Sequence, residues 1–200
     1  MLRQAGVTVL EVVVSLLIIV LIIGIAEPTF QESRRNSRIA TVAGELAAAV
    51  QLARAEAVKR QKIVSMCPTE NVAAHSPKCS EDPNFDAWIV FEDGDGDCLP
   101  VAGAVPIRAE AAVPSGEAAR IAARGTGVCI SFATNGALRV VQFMRNADKL
   151  LVCDARGIGT PFGNDPSPAI GLMLDPSGRV SQTRQRDAIG TWRLACPFGH

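Results

Sequence analysis

Three carboxylates stand at alternate positions in Asp93-Gly94-Asp95-Gly96-Asp97. That spacing opens a calcium loop, in which acidic side chains one residue apart converge on a hard cation. Such a loop also wants glycine at its sixth position and glutamate at its twelfth, and Cys98 and Ala104 stand there. The stretch therefore reads first as a polar turn after a strand ending near Phe91. Asp93, Asp95 and Asp97 remain the one candidate calcium set, and no other metal or cofactor is expected. His75 and His200, the two histidines, have no nucleophile or carboxylate arranged near them in sequence. No set for nucleophilic or acid–base catalysis can be assembled, so the reading is a non-enzyme.

The six cysteines are Cys67, Cys79, Cys98, Cys129, Cys153 and Cys196. None forms the close C-x-x-C pair of a zinc knuckle. An even number downstream of a long apolar segment points to disulfides in an oxidising compartment. Many pairings are open. Cys153–Cys196 would tie the C-terminal tail to a strand and Cys67–Cys79 would close a short loop, which leaves Cys98–Cys129. Between Gly178 and His200 lie Arg179, Arg184, Arg186 and Arg193 against one acid, Asp187. Such a stretch could contact nucleic-acid phosphates, with Trp192 as the nearest aromatic for stacking. It could equally be a solvated edge strand whose charges discourage aggregation. Lys+Arg and Asp+Glu both number 20, so whole-chain charge argues for neither.

These residues need elements to hold them. Val7 to Ala26 is apolar apart from one charge, Glu11. Some 20 helical residues span the hydrocarbon core of a bilayer. A secretory signal would close such a run with a small-residue cleavage site, but Glu27-Pro28 follows, and the small residue, Gly6, precedes it. A carboxylate within the run costs about 2.5–3.5 kcal/mol on insertion and calls for a partner. Beyond Pro28, which bends a helix, Ile39, Val42, Leu46, Val50, Ala53 and Ala57 recur every three or four residues. This predicts an amphipathic helix to about Arg60. Short β-rich runs follow at 62–67, 87–92, 128–132, 138–144, 150–153, 169–174 and 179–183, with turns at Asn135-Gly136 and Ser177-Gly178 and long loops at 94–114 and 157–168. The chain then divides into 1–6, an apolar helix at 7–27, an amphipathic helix at 28–61 and a β-rich domain at 62–200, an α+β subunit.

Gly6-Val7-Thr8-Val9-Leu10-Glu11 resembles the prepilin peptidase motif of type IV pilins, with Val7 where phenylalanine is usual. The resemblance implies cleavage between Gly6 and Val7, N-methylation of Val7, and pairing of Glu11 with an amino terminus during assembly. LARAEAVKRQKIVSMCP (52–68), WIVFEDGDGD (88–97), ISFATNGAL (130–138), LLVCDARG (150–157) and DPSGRV (175–180) resemble the GspH/FimT group of minor pilins and type II secretion pseudopilins. That group implies a pilin-like fold: a long N-terminal helix, membrane-spanning in its first half, packed against a C-terminal two-sheet antiparallel β domain. It implies a structural subunit that assembles or primes a type IV pilus or type II secretion pseudopilus. Its partners would be the prepilin peptidase, other pilins or pseudopilins, and the inner membrane, crossed once with the β domain in the periplasm. The FimT branch adds an alternative, a minor pilin that binds double-stranded DNA for uptake through a C-terminal Gly-Arg-x-Arg motif. Gly178-Arg179-Val180-Ser181 keeps only the first arginine of that motif.

Overall fold

The computed structural model describes residues 8–74, 77–81, 84–101, 103, 105–111, 119–123, 128–139, 145–146, 148–159, 166–192, 194 and 196, with the backbone alone at 24–29 and 145–146. Gly6, Val7 and Arg193 lie outside the described residues. Helix α1 runs from Val9 to Arg60, through Pro28. Its start is capped by Thr8, whose Oγ1 accepts the Glu11 N–H at 3.3 Å and satisfies one of the four unpaired donors of a first turn. The chain divides into two compact units, Met1–Ser37 and Arg38–His200.

In the first unit, every residue from Val9 to Ile23 except Glu11 and Ser15 is a large apolar side chain, 46–82% exposed. Among the described residues no helix is long and apolar enough to cross a membrane. The two ends of the apolar segment, Val7 and 24–27, have no described side chains.

In the second unit the α1 stripe from Ile39 to Ala57 is buried, and one hydrophobic core joins it to the inner faces of two sheets. The first sheet has the order β3-β2-β1-β5-β6: β1 (Val64–Pro68), β2 (Ala87–Glu92), β3 (Arg108–Ala111), β5 (Val128–Phe132) and β6 (Leu138–Arg139). A short β7 (Arg145–Asn146) pairs in parallel with β5, and the remaining pairs are antiparallel. The second sheet is antiparallel with the order β10-β9-β8-β4: β4 (Arg120–Ala123), β8 (Lys149–Cys153), β9 (Ile170–Leu174) and β10 (Val180–Thr183). Alternation along each strand sends Met66, Trp88, Val90, Ile130, Leu150, Val152 and Leu172 into the core. A short helix α2, Arg186–Gly190, follows β10.

Three strands correct the sequence expectation, the short β7 just past the run at 138–144 among them. β3 lies inside 94–114, which reads as loop, and β4 is absent from the expected set. Arg-Ala-Glu-Ala and Arg-Ile-Ala-Ala carry little intrinsic β preference. Each is held by pairing to an established strand, Trp88 opposite Glu110 and Ala122 opposite Leu151.

The opposite, outward faces explain the cysteines. Cys67 and Cys129 alternate with core residues on β1 and β5, and Cys153 does so on β8. Three disulfides join Cys67 to Cys79, Cys98 to Cys129 and Cys153 to Cys196, with Cα separations of 5.5, 6.4 and 6.1 Å. Cys79 packs with Ile89 and Phe91 on the outer face of the first sheet. The C-terminal segment brings Ile189, Leu194 and Cys196 over Ala122, Leu151 and Cys153 on the outer face of the second. Trp192 lies so close to Gly171 that a Cβ there would sit 2.5 Å from the ring, so only glycine admits the indole. At one end of the domain Gly178 (φ +79) meets Gly136, whose carbonyl accepts from Arg54 Nε at 3.0 Å.

Candidate assembly and binding surfaces

The acidic turn is built inward. Asp93 follows β2 and is fully buried on the outer face of the first sheet. Its Oδ1 accepts the Gly96 N–H at 2.9 Å and its Oδ2 the Cys98 N–H at 3.1 Å. Ser65 Oγ donates to Oδ2 at 2.5 Å and lies 2.9 Å from Ser131 Oγ. Burial pushes the Asp93 carboxyl above its ordinary range, against the lowering pull of Ser65 and the two backbone donors. Oxygens of Asp93, Asp95 and Asp97 lie within 4.8 Å of one another. Asp93, however, spends both oxygens on the protein, and the Arg139 guanidinium lies against Gly96, where a Cβ would meet it at 2.3 Å. Asp95 and Asp97 alone, beside that cation, bring fewer carboxylate oxygens than the roughly six to eight that calcium takes. The geometry makes Asp93 the keystone of a turn. Ser65 and Ser131 were invisible as partners in sequence; their one signal is a lone serine in each of two otherwise apolar strands.

Strand β10 separates Arg179 from Arg184 and Arg186. Arg179 is exposed at the β9–β10 turn, where its N–H donates to Asp175 Oδ1 at 3.0 Å. Arg184 lies beyond the far end of β10, half-buried. Arg186 opens α2, half-buried, with its guanidinium against Gly159. Trp192 is 6% exposed, on Gly171 and under the Lys149 ammonium at 6.0 Å. It is a core aromatic and offers no face to a base. Among the described residues, what this region offers a DNA backbone is charge from Arg179, Arg184 and Arg186, of which only Arg179 is fully exposed.

Glu11 sits in the first turn of α1, exposed, where a carboxylate is favoured by the helix dipole. Ser15, one turn on, donates from Oγ to the Glu11 carbonyl at 2.6 Å. Around this polar pair the helix surface is uniformly apolar. An exposed apolar surface of this extent marks an interaction site.

A family model described as "Type II transport protein GspH" matches residues 42–160, from the buried stripe of α1 through β8. The chain belongs to the GspH/FimT family of minor pilins and pseudopilins. Two crystal forms of the type IV minor pilin FimU from Pseudomonas aeruginosa (strain PAO1) are similar to it. They are 17% and 16% identical, cover 70% and 76% of this chain and 89% and 91% of their own, and have TM-scores of 0.44 and 0.45. No curated protein matches. As a GspH/FimT subunit the chain has the α+β fold of a pilin, an N-terminal helix with two antiparallel sheets. The family is one of structural subunits rather than enzymes, and its members associate with other pilins or pseudopilins.

Proposed function

We propose that this chain is a minor pilin or pseudopilin that is held in the inner membrane by the first half of α1 and drawn from there into a type IV pilus or type II secretion pseudopilus. The observation that carries this reading is the bare apolar helix from Val9 to Ile23. Each such side chain gains about 1.5–3 kcal/mol on leaving water, so the segment has a strong drive toward a bilayer or a bundle of like helices. Processing between Gly6 and Val7, with methylation of Val7, would place an amino group next to the carboxylate-bearing first turn. Once the helix leaves the headgroup region for a filament core, Glu11 has no water to solvate it. A buried carboxylate is tolerable when it meets an ammonium. Pairing with the amino terminus of a neighbouring subunit would then set the axial step of insertion. The β domain stays in the periplasm, its covering segments tied down by disulfides suited to that compartment.

Glu11→Ala tests the pairing. The variant is expected to be cleaved normally by the prepilin peptidase and to remain in the membrane, while its incorporation into sheared filaments falls at least tenfold. Normal incorporation would contradict the pairing.

A further inference from the structure

We infer that Arg34 and Arg35 form a site for the phosphate headgroups of anionic phospholipid, set just beyond the apolar part of α1. The inference rests on the membrane reading and adds a lipid chemistry to it. Both arginines are exposed, on the same continuous helix as the apolar residues and within the same unit. Arg34 is eight residues past Ala26, about 12 Å along the axis. The headgroup layer adds about 5–8 Å to each side of the hydrocarbon core. Helical side chains lean toward the N-terminus of their helix, which here is toward the bilayer. A long arginine leaning that way carries its guanidinium back into the headgroup layer, its stem against apolar surface.

Phe30 supports the same depth. It is 70% exposed, one turn before Arg34 and therefore on the same face. About 6 Å past Ala26, its ring reaches the boundary between acyl chains and headgroups. Glu32, the acid between them, is already engaged with another group. Phosphate suits a guanidinium, whose planar fork gives two charge-assisted hydrogen bonds to one oxyanion. Basic residues beside a span ordinarily mark the cytoplasmic side. Two arginines on the side of the exported domain oppose that bias, and a headgroup phosphate supplies the countercharge they need. In this arrangement the arginines fix how deep the helix sits before assembly and release lipid when the subunit leaves the bilayer.

The test uses the full chain in phosphatidylcholine vesicles with or without phosphatidylglycerol. Flotation reports insertion, and spin-labelled phosphatidylglycerol and phosphatidylcholine report the lipid in contact with the helix. The wild type should float with both vesicles and prefer phosphatidylglycerol about fivefold at low salt. That preference should fall close to one in high salt and in the R34Q/R35Q variant, while both proteins still float. Equal contact with the two lipids in the wild type, or a preference unchanged in the variant, would overturn the inference and leave the membrane reading intact. A variant with wild-type lipid preference but poor co-assembly would overturn it too, assigning the arginines to a neighbouring subunit's carboxylates. Failure to float with either vesicle would sink the membrane reading itself, and this inference with it.

Discussion

Asp93→Ala is expected to lower the melting temperature of the β domain by about 10 °C, while Asp95→Ala and Asp97→Ala change it by no more than about 2 °C. The difference follows from what each carboxylate touches. Removing Asp93 strands the Gly96 and Cys98 N–H groups and the Ser65 hydroxyl, all in or beside a buried turn. An unpaired buried donor costs about 1–3 kcal/mol, and the three share a network, so their sum of roughly 3–4 kcal/mol is less than additive. Asp97 accepts one exposed N–H, from Leu99, and Asp95 is exposed. A calcium site would give a different pattern: the three substitutions would cost similar amounts, and calcium would raise the melting temperature of the wild type alone. The same residue gives the pH dependence. The folded-state pKa of Asp93 is raised, so the protonation-linked part of its contribution is fully present below the unfolded value near 3.8 and is lost as pH rises through the higher folded value, while its hydrogen bonds to the turn remain. Relative to Asp93→Asn, which does not titrate, the wild type should therefore gain stability as pH falls from 7 to about 4. A gap that narrows over that range would contradict the burial argument.

Leu17→Lys is expected to remove the chain from the washed membrane fraction and from filaments, by on the order of 100-fold. Leu17 is 60% exposed on the helix and lies near the middle of the apolar segment. A charge at mid-bilayer costs about 2.5–3.5 kcal/mol on insertion scales, which sets that factor. Val101→Lys is the control: Val101 is also 60% exposed, but in the second unit. It should change neither fraction. Equal behaviour of the two variants would mean that the exposed helix is not a membrane or filament-core segment.

Much of this fold is legible in the sequence because period and burial agree. The six stripe residues of α1 are all buried, and the runs at 87–92 and 128–132 are strands β2 and β5. β3, β4 and α2 were not legible, since Arg108–Ala111, Arg120–Ala123 and Arg186–Gly190 become regular only where a neighbouring strand or the outer sheet face holds them. The acidic turn was legible as a turn, but its logic was not. Nothing in the spacing of Asp93, Asp95 and Asp97 separates the buried keystone from two exposed acids; Ser65, distant in sequence, does that. The C-terminal arginines suggested a cluster because they are close in sequence. Strand β10 separates Arg179 from Arg184 and Arg186, and Trp192 covers Gly171 as a core aromatic. Glu11 was legible as an anomaly, a lone charge in an apolar run, and its exposure in the isolated chain leaves its partner to the assembled state.

The most direct test of the account is the intact mass of the chain recovered from the membrane fraction of its own cells. The account predicts a single species that begins at a methylated Val7 and keeps the whole apolar helix. A mature chain that begins after Ala26 and is found in the soluble periplasmic fraction would contradict it, because the helix would then be a discarded signal rather than the part that anchors and assembles the subunit.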